Sequence, residues 1–368
     1  MAHINITLDQ DEIMRLLADS CGDAFRGMLE ESVNAVLRAE SDEQIGAGRY
    51  ERGEAEPRAD VAERLRAALG ILDDVVLPMQ PLQNIQFRAS YGLPQKERDA
   101  IIAGATEHFN LYREVERRVG ADTPFRTPFE GAAPDFSGDT DVMEDVADEL
   151  RRRWNLGFGP LPNLCYLLER KGIKIFEAES REFAFNGFSA ELDGCPLICV
   201  AQWLNDTIYL PRKRMTLAHE LAHILFPQLD AEEGSEEEYY IQHFAGALLV
   251  PRAALFEALG DAPRDSVQLG ELLELKHYFG ASLKAIMIRA WQLGIVSPDA
   301  QTRWEAYYAS HRYLDKDPGA YAVPEHSERY RQLVARGVLC GAISRDEAAS
   351  RFNAPPIPEM DINVINPS

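Results

Sequence analysis

The sequence predicts an α+β fold in which helix predominates. Three observations favour this class. The hydrophobic content is 46% over 368 residues, which is enough for a sizeable core. Apolar residues recur at helical spacing through most of the chain, and only three short runs have the composition of strands. The predicted sheet is therefore small.

The charge balance limits the classes of partner. The formal net charge is −22, so most of the surface is expected to repel nucleic acid phosphates. Neither an apolar run of the ~20 residues that a membrane span requires nor a charged and then apolar leader is apparent. The five cysteines are scattered, which is typical of a reducing compartment. We therefore expect a cytoplasmic protein that does not associate with membranes.

Helical periodicity dominates the first third of the chain. It predicts two helices within residues 8–39, another over 61–77, and a long amphipathic helix from about Gln95 to Val119. Residues 121–140 combine three prolines with glycines and other turn formers, which indicates a linker or wrapping loop.

The remainder alternates short strands with helices. The predicted helices are Val142 to Trp154, Leu161 to Lys171 with Gly172 ending it, 234–251, 267–280, 282–294, and two near the end within 325–352. The predicted strands are 173–180, 195–203 and 206–211.

The stretch RMTLAHELAHILF, residues 214–226, places two histidines and a glutamate in an otherwise apolar helix. His219 and His223 are four residues apart, so their side chains lie one above the other and can converge on one ion, for which Zn²⁺ is the expected choice. Glu220 points about 100° away, within reach of a water on the metal without being a ligand. The alternative is a pair of core histidines satisfied by hydrogen bonds.

A catalytic zinc takes three protein ligands, and the helix over 234–251 offers the third. Glu238 shares a side with Gln242, which is expected to support its carboxylate. Weaker candidates for the third ligand are Glu236, Glu237 and His243. The alternative role for Glu238 is a helix-capping box with Ser235.

These segments resemble a known family. RMTLAHELAHILF followed by EYYIQHFAGALLVP is similar to the metallopeptidase domain of the ImmA/IrrE family, bacterial regulators that cut or antagonise repressor-like DNA-binding proteins. The resemblance extends over roughly 85–350, through GFGPLPNLCYLLERKGIKIF, GFSAELDGCPLICV and ELLELKHYFGASLKAIMIRAWQLGIVS. It implies a small zincin-like domain with a short sheet and an HExxH active-site helix, flanked by helical segments.

The resemblance also implies roles for individual residues. His219, His223 and Glu238 would hold Zn²⁺, and Glu220 would act as general base and then as general acid. Gln242 departs from the family, which usually has Asn or Asp at that position. The expected partner is a repressor or an antitoxin-like DNA-binding protein.

The amino-terminal part carries two further resemblances. Residues 4–40, continuing to GAGRYERGE, resemble the start of Mutator-type transposases, whereas RYERGEAEPRADVAERLRAALGI resembles the last third of an Xre-type helix-turn-helix. Acidic residues at 40–43 lie where a base-reading helix would need neutral or basic ones, so the sequence predicts against specific DNA binding. An accessory helical hairpin is the alternative for residues 1–45.

We therefore divide the chain into five predicted regions: the transposase-like segment 1–50, the helix-turn-helix remnant with a connecting helix 51–120, the linker 121–140, the metallopeptidase domain 141–295 and a helical extension 296–368. Two functional hypotheses follow. The chain is a zinc endopeptidase that regulates transcription or a stress response by cleaving a repressor-like protein. Alternatively, it is a non-catalytic regulator that acts by binding a partner or DNA.

Overall fold

The computed structural model describes residues 79–89, 93–129, 141–180, 184–229, 235–313 and 316–353. The helices predicted within 8–39 and over 61–77 lie outside these residues, as do the transposase-like segment and the helix-turn-helix remnant. Residues 130–140 of the predicted linker also lie outside, so the domain boundaries stay predictions.

The fold is α+β and mostly helical, as predicted. The described residues form the helices α1 (Gln95–Arg118), α2 (Asp141–Arg153), α3 (Leu164–Arg170), α4 (Leu210–Leu225), α5 (Glu236–Leu249), α6 (Arg252–Leu259), α7 (Leu269–Phe279), α8 (Leu283–Gln292), α9 (Pro298–Ser310), α10 (Arg329–Leu339) and α11 (Arg345–Ser350). They also form the strands β1 (Gln83–Ala89), β2 (Lys174–Ala178), β3 (Phe185–Leu192) and β4 (Cys195–Ala201). None of these helices is both long enough and apolar enough to cross a bilayer.

The four strands form one sheet in the order β1-β3-β4-β2. β2 pairs with β4 in parallel, and the other pairings are antiparallel. The predicted strands at 173–180 and 195–203 are confirmed as β2 and β4. β3 was missed because it buries its polar residues, among them Asn186 and Ser189, along with its apolar ones, so its sequence lacks alternation.

The strand predicted over 206–211 is wrong. The Asp206 carboxylate accepts a hydrogen bond from the Ile208 backbone N–H and forms a turn. Pro211 then occupies the first turn of α4, where its missing N–H costs nothing. The apolar run therefore starts a helix instead of a strand.

Helix α4 occupies the centre of the core. It packs against β3, β4 and α5, and α5 in turn packs against α2. Gly187 on β3 permits a close approach, because a Cβ there would lie 2.9 Å from both the Thr216 Cγ2 atom of α4 and the Cys199 carbonyl oxygen. Leu217 and Leu221 of α4 are fully buried.

A C-terminal strap, residues 316–328, is anchored on the amino-terminal half of α4. The carboxylate of Glu325 is fully buried and lies 2.5 Å from the Arg214 guanidinium, while its other oxygen accepts from the Cys165 backbone N–H at 2.7 Å. The Glu325 carbonyl accepts from the Lys213 ammonium. Arg214, which begins the HExxH stretch, is thus a structural residue.

The helices after the strap pack on α1. Tyr112 and Val115 of α1 form a second buried cluster with Tyr330 and Val334 of α10. The two terminal helices predicted within 325–352 are confirmed as α10 and α11, with Gly341 between them at a positive φ of 77°.

Candidate metal centre

Helix α4 presents two imidazoles on one face. His219 and His223 are one turn apart, and both are buried, at 0% and 8% exposure. Their Nε2 atoms lie 3.0 Å apart. The four-residue spacing on one helix brings the two rings this close, and Leu217 and Leu221 bury the same helix in the core.

Helix α5 brings the carboxylate. Ser235 caps this helix by accepting a hydrogen bond from the backbone N–H of Glu238 at 3.1 Å. The Glu238 side chain is 8% exposed, and its Oε2 atom lies 3.6 Å from His219 Nε2. Ser235 therefore acts on the backbone of Glu238, while the carboxylate reaches the histidines. The structure brings together all three predicted ligands.

Gln242 contacts the same carboxylate from the next turn of α5. Its Nε2 atom donates to Glu238 Oε1 at 2.6 Å, as the i, i+4 spacing predicts. The two oxygens of Glu238 are thereby differentiated, because Oε1 accepts from Gln242 and Oε2 faces His219. This contact orients the carboxylate and restricts its rotation.

Glu220 lies between the two histidines along α4 and is fully buried. Its neighbour on β4 is Cys199: burial raises the pKa of the Cys199 thiol well above its usual range, and the charge of Glu220 raises it further. These observations place Glu220 in the core between α4 and β4, and its role in proton transfer stays a prediction.

The weaker candidates have other contacts. His243 Nε2 lies 2.6 Å from Glu144 Oε1 of α2, and the Glu236 carboxylate accepts from the Tyr240 hydroxyl at 2.8 Å. Glu144 also pairs with Arg289 of α8. Sequence reasoning missed Glu144 and Arg289, although a lone arginine inside the apolar run AIMIRAW is a signal of a buried ion pair.

Burial of Glu144 alone would raise the pKa of its carboxyl, but hydrogen bonds from His243 and Arg289 lower that pKa to about 2. Gly246 makes this arrangement possible, since a Cβ there would lie 2.9 Å from Arg289 Cδ. The Glu144–Arg289 ion pair and the contact of Glu144 with His243 together join α2, α5 and α8.

The donor set fits a divalent metal. The ligand atoms of His219, His223 and Glu238 lie within 4.8 Å of one another. A tetrahedral zinc with ligands at about 2.1 Å places neighbouring donors about 3.4 Å apart. The observed separations of 3.0 Å and 3.6 Å lie on either side of that value. Two imidazoles with one carboxylate are also a donor set that catalytic zinc uses.

The comparison with family models agrees with this geometry. Residues 168–290 match the peptidase M78 family, described as the IrrE N-terminal-like domain. The chain thus contains a metallopeptidase-like domain. The match includes β2 to β4 and runs through α8 to Ala290, so it contains all three candidate ligands and Glu220. No curated protein matches the chain.

Proposed function

We propose that this chain is a zinc-dependent endopeptidase that regulates transcription or a stress response by cleaving a repressor-like DNA-binding protein. The observation that carries the proposal is the convergence of His219, His223 and Glu238 within 4.8 Å, with Glu220 beside them on the same buried helix. The match of residues 168–290 to a peptidase family supports the same reading.

Each residue then has a defined task. His219, His223 and Glu238 would hold Zn²⁺, which when bound supplies Lewis-acid activation of water and of a peptide carbonyl. The Glu220 carboxylate accepts a proton from the attacking water and delivers it to the nitrogen of the leaving amine. Gln242 keeps Glu238 oriented through its 2.6 Å hydrogen bond.

The charge of the chain supports a basic protein as the substrate. A formal net charge of −22 attracts proteins with a basic surface, and DNA-binding proteins have such surfaces because they neutralise phosphates. The long-range attraction would raise the rate of encounter with a repressor.

The decisive experiment compares wild type with Glu220→Gln. Each protein is co-expressed with candidate repressors from the same genome to follow cleavage. Each is also purified and loaded with Zn²⁺ to measure its metal content. We expect equal metal content, measured by mass spectrometry of the purified chains. Cleavage by the variant should fall by roughly 100-fold or more, because general acid–base catalysis is lost.

Glu237→Gln is the matched control, since it removes one carboxylate from α5 that is outside the ligand set. It should bind metal and cleave as wild type does. The proposal fails if wild type and Glu220→Gln act alike on every candidate protein, and a non-catalytic role in partner binding then explains the fold.

A further inference from the structure

A cavity of about 600 Å³ lies between α4, α5, α8 and α9. Its wall contains Met215, Tyr239, Gln242, Ala285, Ile288 and Trp291. Two of these residues, Tyr239 and Trp291, are 39% and 40% exposed, so the cavity is open to solvent. None of the three candidate ligands lines it.

The cavity is nevertheless adjacent to the candidate centre. Gln242 lines the cavity and also donates to Glu238 Oε1 at 2.6 Å, so one side chain separates the cavity from a candidate ligand. Met215 precedes His219 by four residues on α4 and therefore lies on the same face, one turn earlier. This adjacency puts the cavity within reach of a substrate residue next to the candidate centre.

The wall favours an apolar occupant. Met215 of α4 and Ala285, Ile288 and Trp291 of α8 contribute apolar side chains to it. Burying apolar surface is the main source of affinity in such sites. The volume also suits a large side chain better than a small one, because a small one would leave most of the wall in contact with water.

The charged residues of the wall do not select a charged occupant. The guanidinium of Arg289 is already paired with the buried carboxylate of Glu144. Lys284 and Glu305 are exposed and opposite in sign, so neither sign is favoured at the rim. A charged side chain would lose hydration here without gaining a dedicated partner.

We propose that this cavity is the specificity subsite of the protein: it binds a bulky apolar side chain of the substrate next to the bond that is cut. This inference rests on the proposed peptidase function. It assigns a class of cleavage site, namely a peptide bond flanked by a residue such as Leu, Met, Phe or Trp.

Two variants change the cavity in opposite ways. Ala285→Phe fills it from α8, and Trp291→Ala removes part of its wall. Tyr307→Ala is the control for Trp291→Ala, because Tyr307 is similarly exposed at 41% but does not line the cavity. Ala253→Phe, at an exposed position of α6, is the control for Ala285→Phe.

The first measurement is cleavage of a peptide library by the Zn²⁺-loaded full-length chain, with products identified by mass spectrometry. Wild type should prefer bulky apolar residues at one position beside the cut, and Ala285→Phe should reduce that preference roughly 10- to 100-fold relative to alanine. Trp291→Ala should weaken it less. If wild type, Ala285→Phe and Trp291→Ala all cleave with the same residue preference, the subsite proposal is overturned.

The second measurement does not depend on activity. Saturation-transfer NMR detects the binding of N-acetyl-phenylalanine amide and N-acetyl-aspartate amide to the full-length chain. We expect transfer to the phenylalanine compound only, and its loss in Ala285→Phe but not in Ala253→Phe. Absence of transfer with wild type overturns the subsite. Transfer that Ala285→Phe abolishes, together with a chain that cleaves nothing, supports apolar binding in the cavity and overturns the peptidase proposal instead.

Discussion

Two buried clusters on α5 are built from the same residue types but differ in one member. At the start of the helix, Glu238 meets His219 and His223. Further along, His243 meets Glu144, and Arg289 completes that group. The first cluster consists of two imidazoles and a carboxylate, whereas the second includes its own permanent cation.

The two clusters differ in what can balance the charge of their buried carboxylates, Glu144 and Glu238. In the second cluster the Arg289 guanidinium supplies the positive charge, so the cluster is a structural joint between α2, α5 and α8. In the first cluster the three members supply electron pairs at the spacing of a tetrahedral zinc. A divalent cation bound in the first cluster would neutralise the Glu238 carboxylate, as Arg289 neutralises Glu144 in the second.

The largest expected effect is on stability, from Arg289→Met. This change leaves Glu144 buried without its guanidinium and should destabilise the protein by about 3–5 kcal/mol in urea unfolding. The control is Arg252→Met, whose partners Asp145 and Asp148 are more exposed and whose loss should cost less than about 1 kcal/mol. If Arg289→Met and Arg252→Met destabilise the protein equally, the buried Glu144–Arg289 pair is no more important for stability than an exposed ion pair.

Acid should weaken the second cluster. The pKa of Glu144 is about 2 in the folded protein against 4.5 ordinarily, so the unfolded chain binds more protons between these values. The stability from Glu144, up to roughly 3 kcal/mol, is present above about pH 4.5 and is lost as the pH falls towards 2. Groups around it are His243, Arg289 and Asp148, the last with a raised pKa that acts in the opposite direction.

Urea unfolding of wild type and Glu144→Gln between pH 3 and 7 checks this. The variant is expected to be less stable at pH 7 and to show a smaller loss on acidification. An unchanged pH dependence in Glu144→Gln would mean that other carboxyl groups determine the acid response.

The first cluster should respond to metal and the second should not. Free Zn²⁺ at about 100 times its dissociation constant should raise the free energy of unfolding of wild type by about 2.7 kcal/mol, and a chelator should reverse the gain. His223→Ala should abolish the response, whereas Arg289→Met should keep it if the variant folds. Thermal unfolding of wild type and both variants, with and without Zn²⁺, measures this response.

The smallest effect is expected from Gln242→Leu, which removes the hydrogen bond to Glu238 Oε1 and leaves all three donors in place. Metal affinity should fall by about 10- to 100-fold, as for other residues that orient a ligand. Gln242→Asn retains an amide and should lose less. Titration against a fluorescent zinc indicator distinguishes the two variants, and identical affinities would remove Gln242 from the centre.

Local spacing accounts for what the sequence predicted well. His219 and His223 lie on one helix, so their convergence follows from the four-residue spacing alone. Glu238 lies on the helix that follows α4, and its inward direction follows from its i, i+3 relation to the buried Ile241. The structure brings these side chains together, while their roles in metal binding and catalysis stay predictions.

Contacts distant in sequence were not predicted. β1 pairs with β3 across about a hundred residues, and Arg289 meets Glu144 at a separation of 145. Hydrophobic periodicity describes one element at a time and contains no information on which distant element covers it. The sequence of β1 is polar and its register with β3 is irregular, so the strand has no local pattern that predicts it.

The C-terminal strap has a consequence for biosynthesis. Arg214 lies on α4, the helix that carries the candidate ligands His219 and His223, but its carboxylate partner Glu325 follows 111 positions later. Ribosomes add roughly 5–20 residues per second, so Glu325 is synthesised roughly 6–22 seconds after Arg214. We expect a nascent chain halted before Glu325 to keep α4 loosely packed and sensitive to proteases, because the buried Arg214 guanidinium then lacks its carboxylate partner.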